Sequence, residues 1–146
     1  KAQVIVGINC DFLGTWLSPT TFASQWAENR KLSSAKGGKR TMSRHYQFES
    51  VLSLTGSNAD HRTTIKPSQV GAVVASLYSA LNGGTASKDF PFLAEAAKDL
   101  LAAKGQSLVV SDSNDENVQS VVIAINALLG SLSSCATSAM RSVPVG

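Results

Sequence analysis

The chain has 146 residues, 43% hydrophobic and 16% charged, with a formal net charge of +3. That length suits one domain able to bury roughly 70% of its unfolded surface without a metal or disulfide staple. The small positive charge is too small to imply a nucleic-acid partner, and the low charged fraction suits a surface partly covered by other domains or subunits.

Ala2 to Ile8 is a nearly continuous β-branched run, which predicts a strand covered on both faces, as in a parallel sheet. It ends in Asn9-Cys10-Asp11, polar residues at a strand's carboxyl end, where open α/β sheets bind ligands. Ser18-Pro19 opens a helix, with Ser18 as N-cap and Pro19 at the first helical position. Phe22, Ala23, Trp26 and Ala27 follow at helical spacing and read as core rather than as a ligand platform.

Lys31 to Arg40 reads as a loop whose basic cluster, Lys36-Gly-Gly-Lys39-Arg40, is expected to be solvated and flexible. It fails as a phosphate-binding P-loop, because Ser33 stands where glycine is needed and Arg40 where Ser or Thr is needed. Met42 to Glu49 alternates and predicts a second strand, in which His45 has no Cys or carboxylate at ligand spacing. Ser50 to Val74 organises the chain: a turn of small polar residues, a short strand over Arg62–Ile65, then Lys66-Pro67 opening a helix to Leu81. Val70, Val73, Val74, Leu77 and Leu81 form the stripe of that helix, and Gly83-Gly84 ends it. Asp89 is expected to cap a further helix bearing Leu93, Ala96, Ala97, Leu100 and Leu101, stopped by Gly105. Ser107 to Val110 is a fourth strand. Ser113 and Glu116 form a capping box for the last helix, striped by Val118, Val121, Val122, Ile125 and Leu129 and closed by Gly130.

This order predicts an α/β domain over residues 1–130, three-layered and Rossmann-like, with a mainly parallel sheet of about four to five strands. Residues 131–146 are expected to be a linker or a segment needing a neighbouring domain. With no initiator Met and a strand from the outset, the chain reads as a domain from the middle of a longer polypeptide. No apolar run reaches the length of about 18 residues that a membrane-spanning helix needs.

Searches for chemistry return little. No G-x-G-x-x-G follows the first strand, no G-x-S-x-G elbow exists, and neither His45 nor His61 joins a recognised metal spacing. The acids at Asp112, Asp115 and Glu116 suit a helix N-terminus. Cys10 and Cys135 form no C-x-x-C, and their pairing stays open. No catalytic or metal-binding residue is therefore expected.

Several stretches do carry a resemblance. Val4 to Trp16, with Asp11-Phe-Leu-Gly-Thr-Trp16 and then Ser18-Pro19, resembles a strand and turn of molybdopterin oxidoreductases of the DMSO-reductase type. Glu49-Ser-Val-Leu-Ser-Leu-Thr-Gly-Ser-Asn-Ala-Asp60 is similar to that family's E-P-R-L-S-L-T-G-A-N-A-D. Ile65-Lys-Pro-Ser-Gln-Val-Gly-Ala72 is similar to its I-(R/K)-P-G-T-(D/E)-G-A, and Gly105 to Val110 with Asn126 to Gly130 resembles the next strand and helix. The likeness is greatest to the molybdopterin-oxidoreductase-like, iron–sulfur subunits of bacterial alternative complex III.

In catalytic members, the resemblance implies, domains of this type hold one half of a bis-molybdopterin guanine dinucleotide, with an Asp on the guanine and a Pro-Arg pair near the nucleotide. Here Val70 stands at the Asp position, Ser68 at the Gly, and Ser50-Val51 at the Pro-Arg. An Asp accepting two guanine N–H groups supplies bonds of ~1.5–3 kcal/mol each, and Val supplies none. Losing Arg removes a five-donor fork suited to phosphate.

The expectation is thus a cofactor-free structural domain of a quinol-oxidising respiratory complex. Iron–sulfur clusters would lie elsewhere in the parent chain, which would be exported to the periplasmic side and membrane-attached through its partners. The alternative is an active molybdenum oxidoreductase domain, for which Asn9, Asp11, Lys66 and Gln69 are the candidate cofactor contacts. A generic nucleotide-binding module is argued against by the missing glycine fingerprint.

Overall fold

A computed structural model describes residues 2–31 and 42–132. The apolar run at the start forms β1 (Val4–Ile8), and every one of its residues is buried. α1 (Pro19–Glu28) carries Pro at its first turn, as expected, although Ser18 makes no side-chain cap bond. β2 (Arg44–Glu49) follows, then a single helical turn, α2 (Leu54–Ser57), where a plain turn was expected. Ser53 nucleates α2 by accepting the Gly56 N–H on its hydroxyl at 2.9 Å.

β3 is His61–Thr64, one residue earlier than the sequence suggests. Lys66-Pro67 does open a helix, first as a 3₁₀ turn over Pro67–Gln69 and then as α3 (Val70–Leu81). Gly83 follows with φ of 85°, the left-handed position that favours glycine after a helix. α4 (Leu93–Ala102) is entered from Phe92, itself left-handed at φ 67°, so Asp89 is not its cap. β4 is Ser107–Ser111. α5 (Glu116–Leu128) is capped by Asp115, whose carboxylate accepts the Asn117 N–H, and the predicted Ser113–Glu116 box does not form. Ser113 caps one step earlier, accepting the Asp115 N–H at 3.1 Å.

The four strands form one sheet in the order β3-β2-β1-β4, and every pairing is parallel. Helices cover both faces, which makes the three-layer, Rossmann-like α/β domain that the sequence predicts. On one face α3, α4 and α5 bury Val73, Leu77, Leu93, Leu100 and Ile125 against Val6, Ile8, Tyr46, Phe48 and Val109. On the other face α1 lays Phe22 and Trp26 over Ile5, Cys10 and Phe12. Phe22 and Trp26 are thus packing residues, as expected.

The outer edge of β4 is closed by α5. Asn126, 7% exposed, accepts the Val109 N–H at 3.0 Å and donates to the Val109 carbonyl at 2.8 Å. Its carboxamide thereby takes the place of a fifth strand at the middle of the edge. Gln119 donates to the Ser111 carbonyl further along. These contacts remove the open ladder that invites strand addition.

Candidate functional site

All four strands are parallel, so their carboxyl ends and the loops leaving them share one edge. The chain moves outward from β1 to β2 and β3, then crosses back to place β4 on the other side of β1. The reversal lies between β1 and β4, the position where open α/β sheets hold ligands. Asn9 and Asp11 leave β1 there.

Both side chains are turned to internal work. Asn9 is left-handed at φ 57°, a conformation asparagine tolerates, and its Oδ1 accepts the Ser50 N–H at 3.0 Å. The Asp11 carbonyl accepts the N–H groups of Gly14, Thr15 and Trp16 at 3.2, 3.0 and 2.9 Å. Its Oδ1 accepts both the N–H and the hydroxyl of Thr55, at 3.1 and 2.7 Å, while Thr55 Oγ1 accepts the Leu13 N–H at 2.9 Å. The loop after β1 and the turn after β2 are thereby bound into one unit.

Beneath that unit lies a polar face on β2 that no sequence motif announced. His45, Gln47 and Glu49 alternate along the strand, all pointing toward the α1 side, and all are essentially fully buried. The Glu49 carboxylate accepts from Arg62 Nε at 2.6 Å, from Ser53 N–H and Oγ at 3.2 and 2.6 Å, and from Gln47 Nε2 at 3.3 Å. Burial pulls its pKa upward, but these hydrogen bonds outweigh it and hold the carboxyl below its usual range. Glycine is required opposite two of these groups: a Cβ on Gly7 would overlap Gln47 Oε1, and one on Gly56 would overlap Glu49 Oε1. His45 is buried, with its Nε2 3.2 Å from Gln47 Oε1. Burial first, then the Arg30 charge, hold its pKa down at about 4, so it is neutral at pH 7.

Lys66 and Gln69 sit beyond β3, on the far edge strand, with β2 standing between them and the loop of Asn9 and Asp11. They bond to each other's backbone: Gln69 Oε1 accepts the Lys66 N–H at 2.8 Å, and the Gln69 N–H donates to the Lys66 carbonyl at 2.9 Å. Val51 and Leu17, in the loops after β2 and β1, are 78% and 77% exposed.

Cys10 is buried and free, and burial, then Asp112 and Asp11, push its thiol pKa well up, which makes it a poor nucleophile. Cys135 and the Lys36–Arg40 cluster lie outside the described residues. Among the described residues, no group of three or more His, Cys, Asp or Glu is placed to hold a metal ion. No helix among them is long and apolar enough to cross a membrane.

Sequence reasoning missed Glu49, Gln47, Thr55 and Asn126 as organising residues. The alternation of polar side chains over His45, Gln47 and Glu49, inside an otherwise buried strand, was the available signal for the first two. Fold and edge together define a doubly wound α/β domain in which the loops after β1 and β2 are fastened to each other. No protein-family model and no curated protein matches the chain.

Proposed function

We propose that the chain is a cofactor-free structural domain of a molybdopterin-oxidoreductase-like, iron–sulfur subunit in a quinol-oxidising respiratory complex. On this reading the subunit is exported and attached to the membrane through its partners, and electrons pass through clusters outside this domain. The domain supplies a rigid packing body.

One observation carries the reading. Several polar groups along the β1–β2–β3 stretch of the carboxyl edge bond internally: Asn9 Oδ1 to Ser50, Asp11 to Thr55, Glu49 to Arg62 and Ser53, Gln69 to the Lys66 N–H. An edge kept for a nucleotide needs donors and acceptors aimed outward, and here the outward side chains include Val51, Leu52 and Leu54. The residues present do not fit molybdopterin guanine dinucleotide. Val70 offers no acceptor to a guanine edge, Val51 no charge to a phosphate, and using Gln69 would break the turn that opens α3.

The reading is tested by titrating the chain with GDP and GTP under calorimetry. It expects no saturable heat up to millimolar nucleotide. Saturable binding in the micromolar range would overturn it in favour of the cofactor-holding alternative, most directly if Asp11→Asn or Gln69→Ala weakened that binding.

A further inference from the structure

α1 does not finish its face of the sheet. None of its residues is buried, and Phe22 and Trp26 are only half-buried. β4 shows the same shortfall along its length. Ser107, Val109 and Ser111 are buried, while Leu108 and Val110, on the α1 side, are half-buried. β1, one strand inward, is buried at every position, so the uncovered strip follows β4. Between this strip and α1 lies a groove of about 350 Å³, walled by Ile5, Phe12, Trp16, Phe22, Leu108 and Val110.

The described residues end beside one end of that strip. Gly130, at φ 68°, terminates α5 and turns the chain back, with the Ser131 N–H donating to the Asn126 carbonyl at 2.9 Å. Ser131 is thereby buried, its Oγ 3.3 Å from that of Ser107, the residue before Leu108 on β4. Residues 133–146 follow in the sequence. They cannot extend the sheet at the middle of β4, where the Asn126 carboxamide holds both the N–H and the carbonyl of Val109. Their composition suits the groove instead. Cys135, Ala136, Ala139, Met140 and Val143 recur at the spacing of one helical face, with Ser134, Ser138 and Arg141 opposite. A helix over that stretch measures about 20 Å and a five-residue strand about 17 Å, so the stripe is long enough to cover β4.

We propose that this groove is the docking site of the chain's own residues 133–146, which lay the stripe from Cys135 to Val143 along Leu108 and Val110. Ala136 and Ala139 let the segment approach the sheet closely, and Met140 fills the space among the aromatic walls. The segment then completes the layer that α1 leaves unfinished. This inference is independent of the function proposed above, because it concerns the α1 face rather than the carboxyl edge.

The whole chain carries its own probe, because its two tryptophans, Trp16 and Trp26, both line the groove. Acrylamide quenching of their fluorescence should rise about twofold in Met140→Glu, since an unpaired charge is costly to bury and drives the segment off. Quenching should keep the parent's value in Ser138→Glu, on the opposite face, and far-ultraviolet circular dichroism checks that both variants keep the fold. A crosslink then reads position. In Leu108→Cys, oxidised glutathione should join the new thiol to Cys135 within one chain, whereas Ile123→Cys, 56% exposed on α5, should form no such bond. Equal quenching in the parent and Met140→Glu would overturn the proposal and leave the groove uncovered. A Leu108→Cys crosslink found only between two chains would overturn it in favour of a second copy as occupant. Absence of any crosslink to Cys135, or one as efficient from Ile123→Cys, would overturn it as well.

Discussion

Asp11→Ala separates a structural carboxylate from one held for a ligand. In the fold, Asp11 Oδ1 accepts two hydrogen bonds from Thr55, at 3.1 and 2.7 Å, and Thr55 is fully buried. Hydrogen bonds to a charged group contribute ~1.5–3 kcal/mol each, and the two are not additive, so the expected loss is about 3–4 kcal/mol. For a chain of this size that corresponds to a fall in Tm of roughly 10 °C. Asp11→Asn keeps the acceptor oxygen without the charge and should lose about half as much. Urea denaturation followed by far-ultraviolet circular dichroism gives both values. A cycle with Thr55→Val should show coupling of about 1–2 kcal/mol, since that change removes the hydroxyl and leaves the amide. An Asp11→Ala variant as stable as its parent, or more stable, would refute the reasoning, because polar groups kept for ligands are commonly held at a cost to stability.

Other outcomes follow from the same geometry. His45 has a folded pKa of about 4 against an ordinary value of 6.5, so between those values the unfolded chain binds the extra proton and the folded chain does not. Stability should therefore be level above about pH 6.5 and fall as pH drops toward 4, by about 3 kcal/mol from this group, and His45→Gln should flatten the slope in a pH series of denaturation curves. Asn126→Leu removes the two bonds that close the β4 edge at Val109. It should cost about 2–4 kcal/mol and produce concentration-dependent association in sedimentation, which the parent should lack under the same conditions. Gly7→Ala drives a methyl into Gln47 Oε1, which is pinned by its neighbours, and should cost about 2–3 kcal/mol by calorimetry.

Strand and helix identity was legible because the apolar pattern is strong: β1 is a continuous β-branched run, and the stripes of α3 and α5 bury Val73, Leu77, Val122 and Ile125 as their spacing requires. Caps were less legible. Ser113 with Glu116 satisfies the capping-box pattern, yet Asp115 lies nearer the helix start and its carboxylate reaches the Asn117 N–H, so the helix begins later. α4 starts from a left-handed Phe92, which no residue preference announces. The candidate edge was legible only as a position. Asn9 and Asp11 do stand at the switch point, but their partners, Ser50 and Thr55, lie 41 and 44 residues away along the chain. Sequence spacing gives no measure of such a contact. The Glu49–Arg62 ion pair at 2.6 Å escaped for the same reason, because a salt bridge across neighbouring parallel strands has no fixed spacing.

The most direct test of the proposed cofactor-free domain is the metal and pterin content of the protein isolated from its native source. Molybdenum and tungsten are counted by inductively coupled plasma mass spectrometry, and pterin by the fluorescence of its oxidised form. The account predicts neither metal nor pterin at stoichiometric level, alongside iron and acid-labile sulfide from the clusters. One molybdenum or tungsten per polypeptide, with matching pterin, would contradict it.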